Sequence, residues 1–304
     1  MDVDLLGLSF TPIEIGDRAR LADLLERYPQ PLSDYTFASL LVWSPVYHYH
    51  HALVEGDTLF VSSMFGGQRR PSLLQPVGQF PETVQEILLQ RARELPEPLR
   101  IESVSEEFLL THAGFAAHFE VAPVRDSANY IYTAADLAGL PGRRYAGKRN
   151  LIAQASRLHS WSVEPLDPSR TDQCMEVADD IAAKRTTDAA VTLEQETHAL
   201  ECALRLFAPL GLQGLVLRVA GRPGAFSIFD RLNPTTAVVL FERALRTEKG
   251  LYQVINRETA RVIEGQGFSL INREEDLGDP GLRKAKLSYE PTRLEMKYTL
   301  TLRA

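Results

Sequence analysis

The order of predicted elements, which runs through the chain twice, constrains the fold more than any other feature of this sequence. Residues 211–245 read as a meander: an apolar run at 215–220, a Gly-Arg-Pro-Gly turn, a run at 225–232, an Asn-Pro turn and a run at 236–244. That pattern predicts three antiparallel strands. Helical periodicity precedes it at 172–185 and 194–209 and follows it at 250–264, before a strand at 268–272, a short helix after Pro280 and a strand at 294–303. The first half repeats the order more faintly, with helices at 17–28 and 34–43, a hairpin over 51–62 turning on Glu55-Gly56-Asp57, a helix at 81–95 and a strand at 100–104. A short helix at 106–112 and a strand pair within 117–133 complete it. The expected fold is α/β: two tandem units with mixed, mostly antiparallel sheets, over residues 1–135 and 136–304. The Gly/Pro-punctuated segment 134–150 separates them and leads into a helix at 148–159.

A length of 304 residues suits two cores of ordinary size. The two cysteines, Cys174 and Cys202, lack metal-ligand spacing, which predicts neither a zinc site nor a disulfide framework and fits a reducing, cytoplasmic setting. The uncharged stretch 35–54 contains Pro45 and three histidines, a poor hydrocarbon span, and the acidic N-terminus is unlike a secretory signal. No stable membrane insertion is expected. The net charge of −7 disfavours a whole-surface grip on nucleic acid, yet residues 281–304 hold six Lys and Arg against two Glu, a local balance of +4. An anion is therefore expected near that end, and a local phosphate contact stays open.

Chemistry-bearing residues cluster in the second unit. On the helix 250–264, Leu251, Val254, Ile255 and Val262 form one apolar stripe, and Glu258 falls inside it. An inward carboxylate needs a cation, donors or a raised pKa, so Glu258 is either an internal ion-pair partner or part of a site. Gln253 and Asn256 lie off the stripe and are expected at the surface. The strand 268–272 runs into Asn272, Arg273, Glu274, Glu275 and Asp276, placing polar groups at its carboxyl end, where open α/β sheets bind ligands. Asp279 then caps a helix whose first turns carry Arg283, Lys284 and Lys286: an anion cradle, or a loop whose own acids neutralise those cations.

The run from Phe268 to Tyr298, with Ile271-Asn272-Arg273-Glu274-Glu275-Asp276-Leu277-Gly278 and Gly281-Leu282-Arg283-Lys284-Ala285-Lys286, resembles the C-terminal signature of a bacterial family related to the C-terminal domain of phosphatidylglycerol lysyltransferase. Lys148-Arg149-Asn150, leading into an amphipathic helix, is similar to the start of the second unit of Fem-type aminoacyltransferases. The resemblance implies two tandem GNAT-like acyltransferase units, with aminoacyl transfer from charged tRNA to a hydroxyl or amine; it does not extend to a lipid acceptor, so a small molecule and a lipid headgroup both stay open. It implies that Asn272 lines the site and that Arg283, Lys284 and Lys286 hold phosphate or stabilise an oxyanion. Arg273 and Asp276 join this binding set.

Two departures bear on the donor. The family's Asp-Leu-Met-Arg run is replaced by Phe241-Glu242-Arg243-Ala244, and the glycine-rich pyrophosphate turn of acyl-CoA enzymes by Arg246-Thr247-Glu248-Lys249-Gly250. Acyl-CoA is thus the weaker donor beside aminoacyl-tRNA. For the transfer itself, Glu258 or Glu274 is the candidate base and Tyr289 the candidate acid. His48, His50 and His51 alternate across a strand without an acidic partner, so no metal is expected. Arg143-Arg144 and Lys148-Arg149 flank Tyr145 and could track an RNA backbone or serve as a solvated face. Two other readings stay open: a non-catalytic ligand-binding or regulatory module, and acyl-CoA-dependent N-acetylation.

Overall fold

A run such as Thr236–Ala244, with eight of nine residues buried, needs cover on both faces. In the computed structural model, which describes residues 3–54, 57–64, 72–182 and 190–303, that cover comes from helices laid over an antiparallel meander. Strands Gln213–Val219, Arg222–Asn233 and Thr236–Ala244 pair in sequence, and Trp161–Pro165 adds to the first of them. Helix Leu251–Gly265 carries the chain over to strand Leu270–Asn272, which pairs parallel to Thr236–Val238 and antiparallel to residues 131–133. Ala225, Phe229, Ala237 and Val239 meet Val254, Ile255 and Ile263 of that helix in one core, joined by residues of Ala134–Gly139 and Ala146–Leu158. Helix Asp172–Ala182 packs on the meander as well.

The first unit repeats the scheme. Strands Leu8–Pro12, His50–Val54, Thr58–Ser63 and Ser72–Leu74 pair antiparallel in order; helix Glu82–Arg93 then crosses to Arg100–Val104, which lies parallel to Ser72–Leu74. Its core gathers Phe80, Phe108 and Phe115, with the first two rings stacked at 5.9 Å and the first and third edge-on at 5.1 Å. Among the described residues, each unit therefore holds a parallel pair bridged by a helix within a mostly antiparallel sheet.

The compact units comprise residues up to Asn129 together with Glu295 onward, and Tyr130–Leu294. The division expected at 135/136 lies six residues later in the chain, and the strand Arg293–Leu302 pairs antiparallel with Arg100–Val104 of the first unit, with Phe119–Thr133 as its neighbour on the other side. Residues 117–133 hold one strand, Phe119–Thr133, in place of the expected pair, since no glycine or Asn-Gly step interrupts them. Helix Phe37–Tyr47 starts later than expected, where Thr36 accepts from the Ser39 N–H at 2.9 Å, and it runs through Pro45 to a left-handed His48. The turn expected at 55–57 falls mostly outside the described residues. Among those described, no helix is long and apolar enough to cross a membrane.

Candidate active site

Strands Thr236–Ala244 and Leu270–Asn272 share only three paired positions, ending at Val238 and Asn272. Beyond them the first strand continues to Ala244, while the chain after Asn272 turns aside: the Asn272 Oδ1 accepts from the Glu274 N–H at 2.8 Å and Glu274 takes a left-handed φ of 54°. Tyr130 fixes the turn through its backbone, accepting from Arg273 N–H at 3.0 Å and donating to Glu274 C=O at 3.1 Å. Parting of the strands lets two long charged side chains meet. Glu242, 5% exposed, receives the Arg273 guanidinium, 8% exposed, at 2.7 Å.

The long helix completes this cluster. With its carboxamide oxygen turned to the guanidinium, Asn256 accepts from both terminal nitrogens of Arg273, at 2.9 and 3.2 Å, and the Tyr252 hydroxyl stands 3.5 Å from one of them. Burial pushes the Glu242 carboxyl above its ordinary range, against the pull of Arg273 and Tyr252. Burial likewise opposes the charge on Arg273, and Glu242 together with Tyr252, Tyr132 and Tyr289 more than compensates. Ser227, in register with Glu242 across the antiparallel pair, and Thr259 bury hydroxyls that have no partner among the described residues.

Tyr289 lies under the same guanidinium, 5.5 Å from its carbon, and is 3% exposed. Its backbone carbonyl accepts from the Tyr145 hydroxyl at 3.0 Å, and its own hydroxyl makes no hydrogen bond among the described residues. Burial raises the phenol's pKa well above the ordinary value, although Arg273 favours its ionised form. Lys148 places its ammonium 3.8 Å from the ring centroid and donates to Ser288 Oγ at 2.6 Å.

The cations of the closing helix, Pro280–Leu287, are largely spent within the loop before it. Arg283 forks onto Asp276 with contacts of 2.8 and 2.7 Å, and this fully buried carboxylate also accepts from the Tyr130 hydroxyl at 2.5 Å and the Gly278 N–H at 2.9 Å. Burial alone would raise its pKa, but these donors hold Asp276 far below the usual carboxylate range. Lys286 donates to the Arg273 carbonyl at 2.5 Å and to that of Glu275; burial and then Arg273 push its pKa down to about 8. Lys284 is exposed, and Asp279 caps the helix by accepting from the Leu282 N–H at 2.7 Å. Two of the three cations of the expected anion cradle, Arg283 and Lys286, are therefore taken up by the protein's own acid and carbonyls.

Of the sequence-derived residues, Asn272, Arg273, Glu274, Asp276, Arg283, Lys286 and Tyr289 gather at this end of the sheet. Glu258 does not join them: 19% exposed, it is held by its helix neighbours Arg257 at 2.6 Å and Arg261 at 3.0 Å. The inward acid is Glu242, and the signal for it was a carboxylate within an otherwise apolar strand. Asn256, expected at the surface, is buried because sheet and flanking helices cover a wider arc of the long helix than one stripe. Among the basic pairs near Tyr145, Arg144 binds Asp136 at 2.7 Å and Arg149 donates to the carbonyls of Gly142, at 2.7 Å, and Leu140.

Residues 25–301 match the family model described as phosphatidylglycerol lysyltransferase, C-terminal. Among curated proteins none matches the sequence. A conserved protein of unknown function from Bacteroides thetaiotaomicron is 29% identical, with a TM-score of 0.86 over 97% of this chain and 100% of that one. L-PGS from Bacillus licheniformis is 14% identical, with a TM-score of 0.68 over 96% and 92%. The architecture recurs in FemX, 8% identical with a TM-score of 0.59 over 93% and 95%. It recurs also in a tandem GNAT protein from the clavulanic acid biosynthesis pathway, 11% identical with a TM-score of 0.53 over 98% and 99%. These likenesses establish a tandem GNAT-like fold.

Proposed function

The chain belongs to the phosphatidylglycerol lysyltransferase C-terminal family, and from that membership we propose that its second unit transfers an aminoacyl group from charged tRNA to a hydroxyl or amine acceptor. Family and fold support an acyl or aminoacyl transferase kind. The observation that carries the finer reading is the buried cluster of Arg273, Glu242, Asn256 and Tyr289 where the two strands part.

In this reading the acceptor attacks the carbonyl carbon of the aminoacyl ester and a tetrahedral oxyanion forms. Its bond to the ribose oxygen then breaks, and that oxygen takes up a proton. Arg273, clamped by Glu242 and Asn256, is oriented to stabilise the oxyanion, so the latter two are positioning residues. Tyr289, a buried phenol kept protonated, supplies the proton to the leaving oxygen. Glu274, half-buried on the left-handed turn beside Arg273, takes the proton from the acceptor. Asn272 holds that turn, and Asp276 with Arg283 and Lys286 braces the loop.

Acyl-CoA is disfavoured by the turn before the long helix. Gly250 presses on the helix Ala146–Leu158, where an added Cβ would lie 2.3 Å from the Leu151 carbonyl oxygen. Glu248 stands 3.2 Å from His159, leaving an acid where a pyrophosphate would need donors.

The test is to incubate the protein with tRNA charged with single labelled amino acids and follow label into hydroxyl- or amine-bearing products. Transfer that Arg273→Lys abolishes supports the reading. Indifference to every charged tRNA, with a ligand nonetheless bound, favours a binding module on the same fold.

A further inference from the structure

The cations around Tyr289 are unequally matched. Arg273 has Glu242 at 2.7 Å and Arg283 has Asp276 at 2.7 Å. Lys286 and Arg149 spend their donors on backbone carbonyls. Lys148, in the first turn of helix Ala146–Leu158, meets only neutral groups: the Ser288 hydroxyl at 2.6 Å and the face of the Tyr289 ring at 3.8 Å. It forms no ion pair among the described residues, while Arg273, a second cation, sits 5.5 Å from the same ring.

That arrangement is electrostatically incomplete. Lys148 is half-buried, and burial followed by Arg273 lowers its pKa, so its charge is held at a cost that no carboxylate offsets. The hydroxyl of the ring beneath it is buried without a hydrogen-bond partner among the described residues. An ammonium lodged between a neutral hydroxyl and an aromatic face has donors to spare for a compact oxyanion.

We propose that Lys148 is a substrate-contacting residue that takes the oxyanion of a phosphate ester beside Tyr289. The assignment rests on the transferase reading only for the origin of that ester, which is the nucleotide end of an RNA donor or the glycerol phosphate of a lipid headgroup. Arg283 and Lys286 of the closing helix do not fill this role, because they are already engaged, and Lys284 is exposed away from the buried cluster's hydrogen bonds.

Calorimetric titration of the full chain with AMP, adenosine, sn-glycerol 3-phosphate and glycerol tests the assignment in the native protein, in Lys148→Met and in Lys148→Arg. The native protein is expected to bind at least one phosphate ester about tenfold more tightly than its phosphate-free counterpart, the scale of one charge-assisted contact. Lys148→Met should erase that preference and Lys148→Arg retain part of it. A preference confined to AMP assigns the ester to the nucleotide, and one confined to glycerol phosphate assigns it to the headgroup. No preference in the native protein, or an undiminished one in Lys148→Met, overturns the proposal. Denaturant midpoints should match the native value for both variants, since no ion pair is lost. The transferase reading is judged separately: a Lys148-dependent preference without aminoacyl transfer removes that reading and leaves this one, whereas transfer unaffected by Lys148→Met removes this one alone.

Discussion

Arg273 and Glu242 approach to 2.7 Å at the point where two parallel strands cease to pair, and nothing of either side chain beyond a few percent reaches solvent. Breaking a buried pair by deleting one partner strands the other charge, at a cost of about 3–5 kcal/mol. Glu242→Ala should therefore lower stability to urea by about that amount, and the double variant Glu242→Ala with Arg273→Met should regain much of it. Equal loss in the single and double variants would show that the two side chains do not stabilise each other.

Tyr289→Phe separates packing from chemistry. Removing a buried hydroxyl without a partner is expected to leave the unfolding midpoint unchanged or slightly raised. Loss of a general acid should slow transfer by roughly 10²–10⁴-fold. Unimpaired transfer in this variant would take the leaving-group role away from Tyr289.

Asp276 sets an acid limit on stability. Its folded pKa lies below the unfolded carboxyl's value of about 3.9, so above that value both states are ionised and its stabilisation is complete. As pH falls through the window between the two values, the unfolded chain gains a proton that the folded one refuses, and stability drops. Denaturation curves at pH 7, 4 and 3 should show this fall in the native protein and a shallower one in Asp276→Asn, which should also be less stable at pH 7.

Gly250 has a φ of 90° and backs directly onto the Leu151 carbonyl. Gly250→Ala adds both backbone strain and a clash, so a loss exceeding about 1 kcal/mol is expected in thermal or chemical unfolding. An unchanged midpoint would mean that the helix Ala146–Leu158 yields easily there. Free CoA should leave the native melting temperature unmoved, as the occupied turn predicts; a rise with CoA concentration would restore acyl-CoA as donor.

The meander and the helix after it were legible because alternation and 3.6-residue periodicity are local patterns, and turns at 220–221 and 234–235 punctuate them. Arg273 and Asp276 were visible for a different reason, standing in a polar run at a strand's carboxyl end, and Tyr289 through the likeness of its place beyond the short helix to GNAT-like enzymes. Of the two readings of Glu258 the ion pair is the one its neighbours make, because an apolar stripe says which way a residue faces and not which neighbour reaches it first; Arg257 and Arg261 do. Glu242 owes its part to Arg273, which lies thirty-one positions away in sequence. No periodicity carries such a pairing, and the same holds for the return of Arg293–Leu302 to the first unit.

That return reorders assembly on the ribosome. The middle of the chain, Tyr130–Leu294, is continuous and can condense as soon as it emerges. The amino-terminal portion, though made earlier, waits for a strand translated only after that whole middle stretch. A protease cut just past residue 294 would therefore spare the chemistry-bearing lobe's own sequence and injure the other lobe, whose remaining residues come more than a hundred and sixty positions earlier.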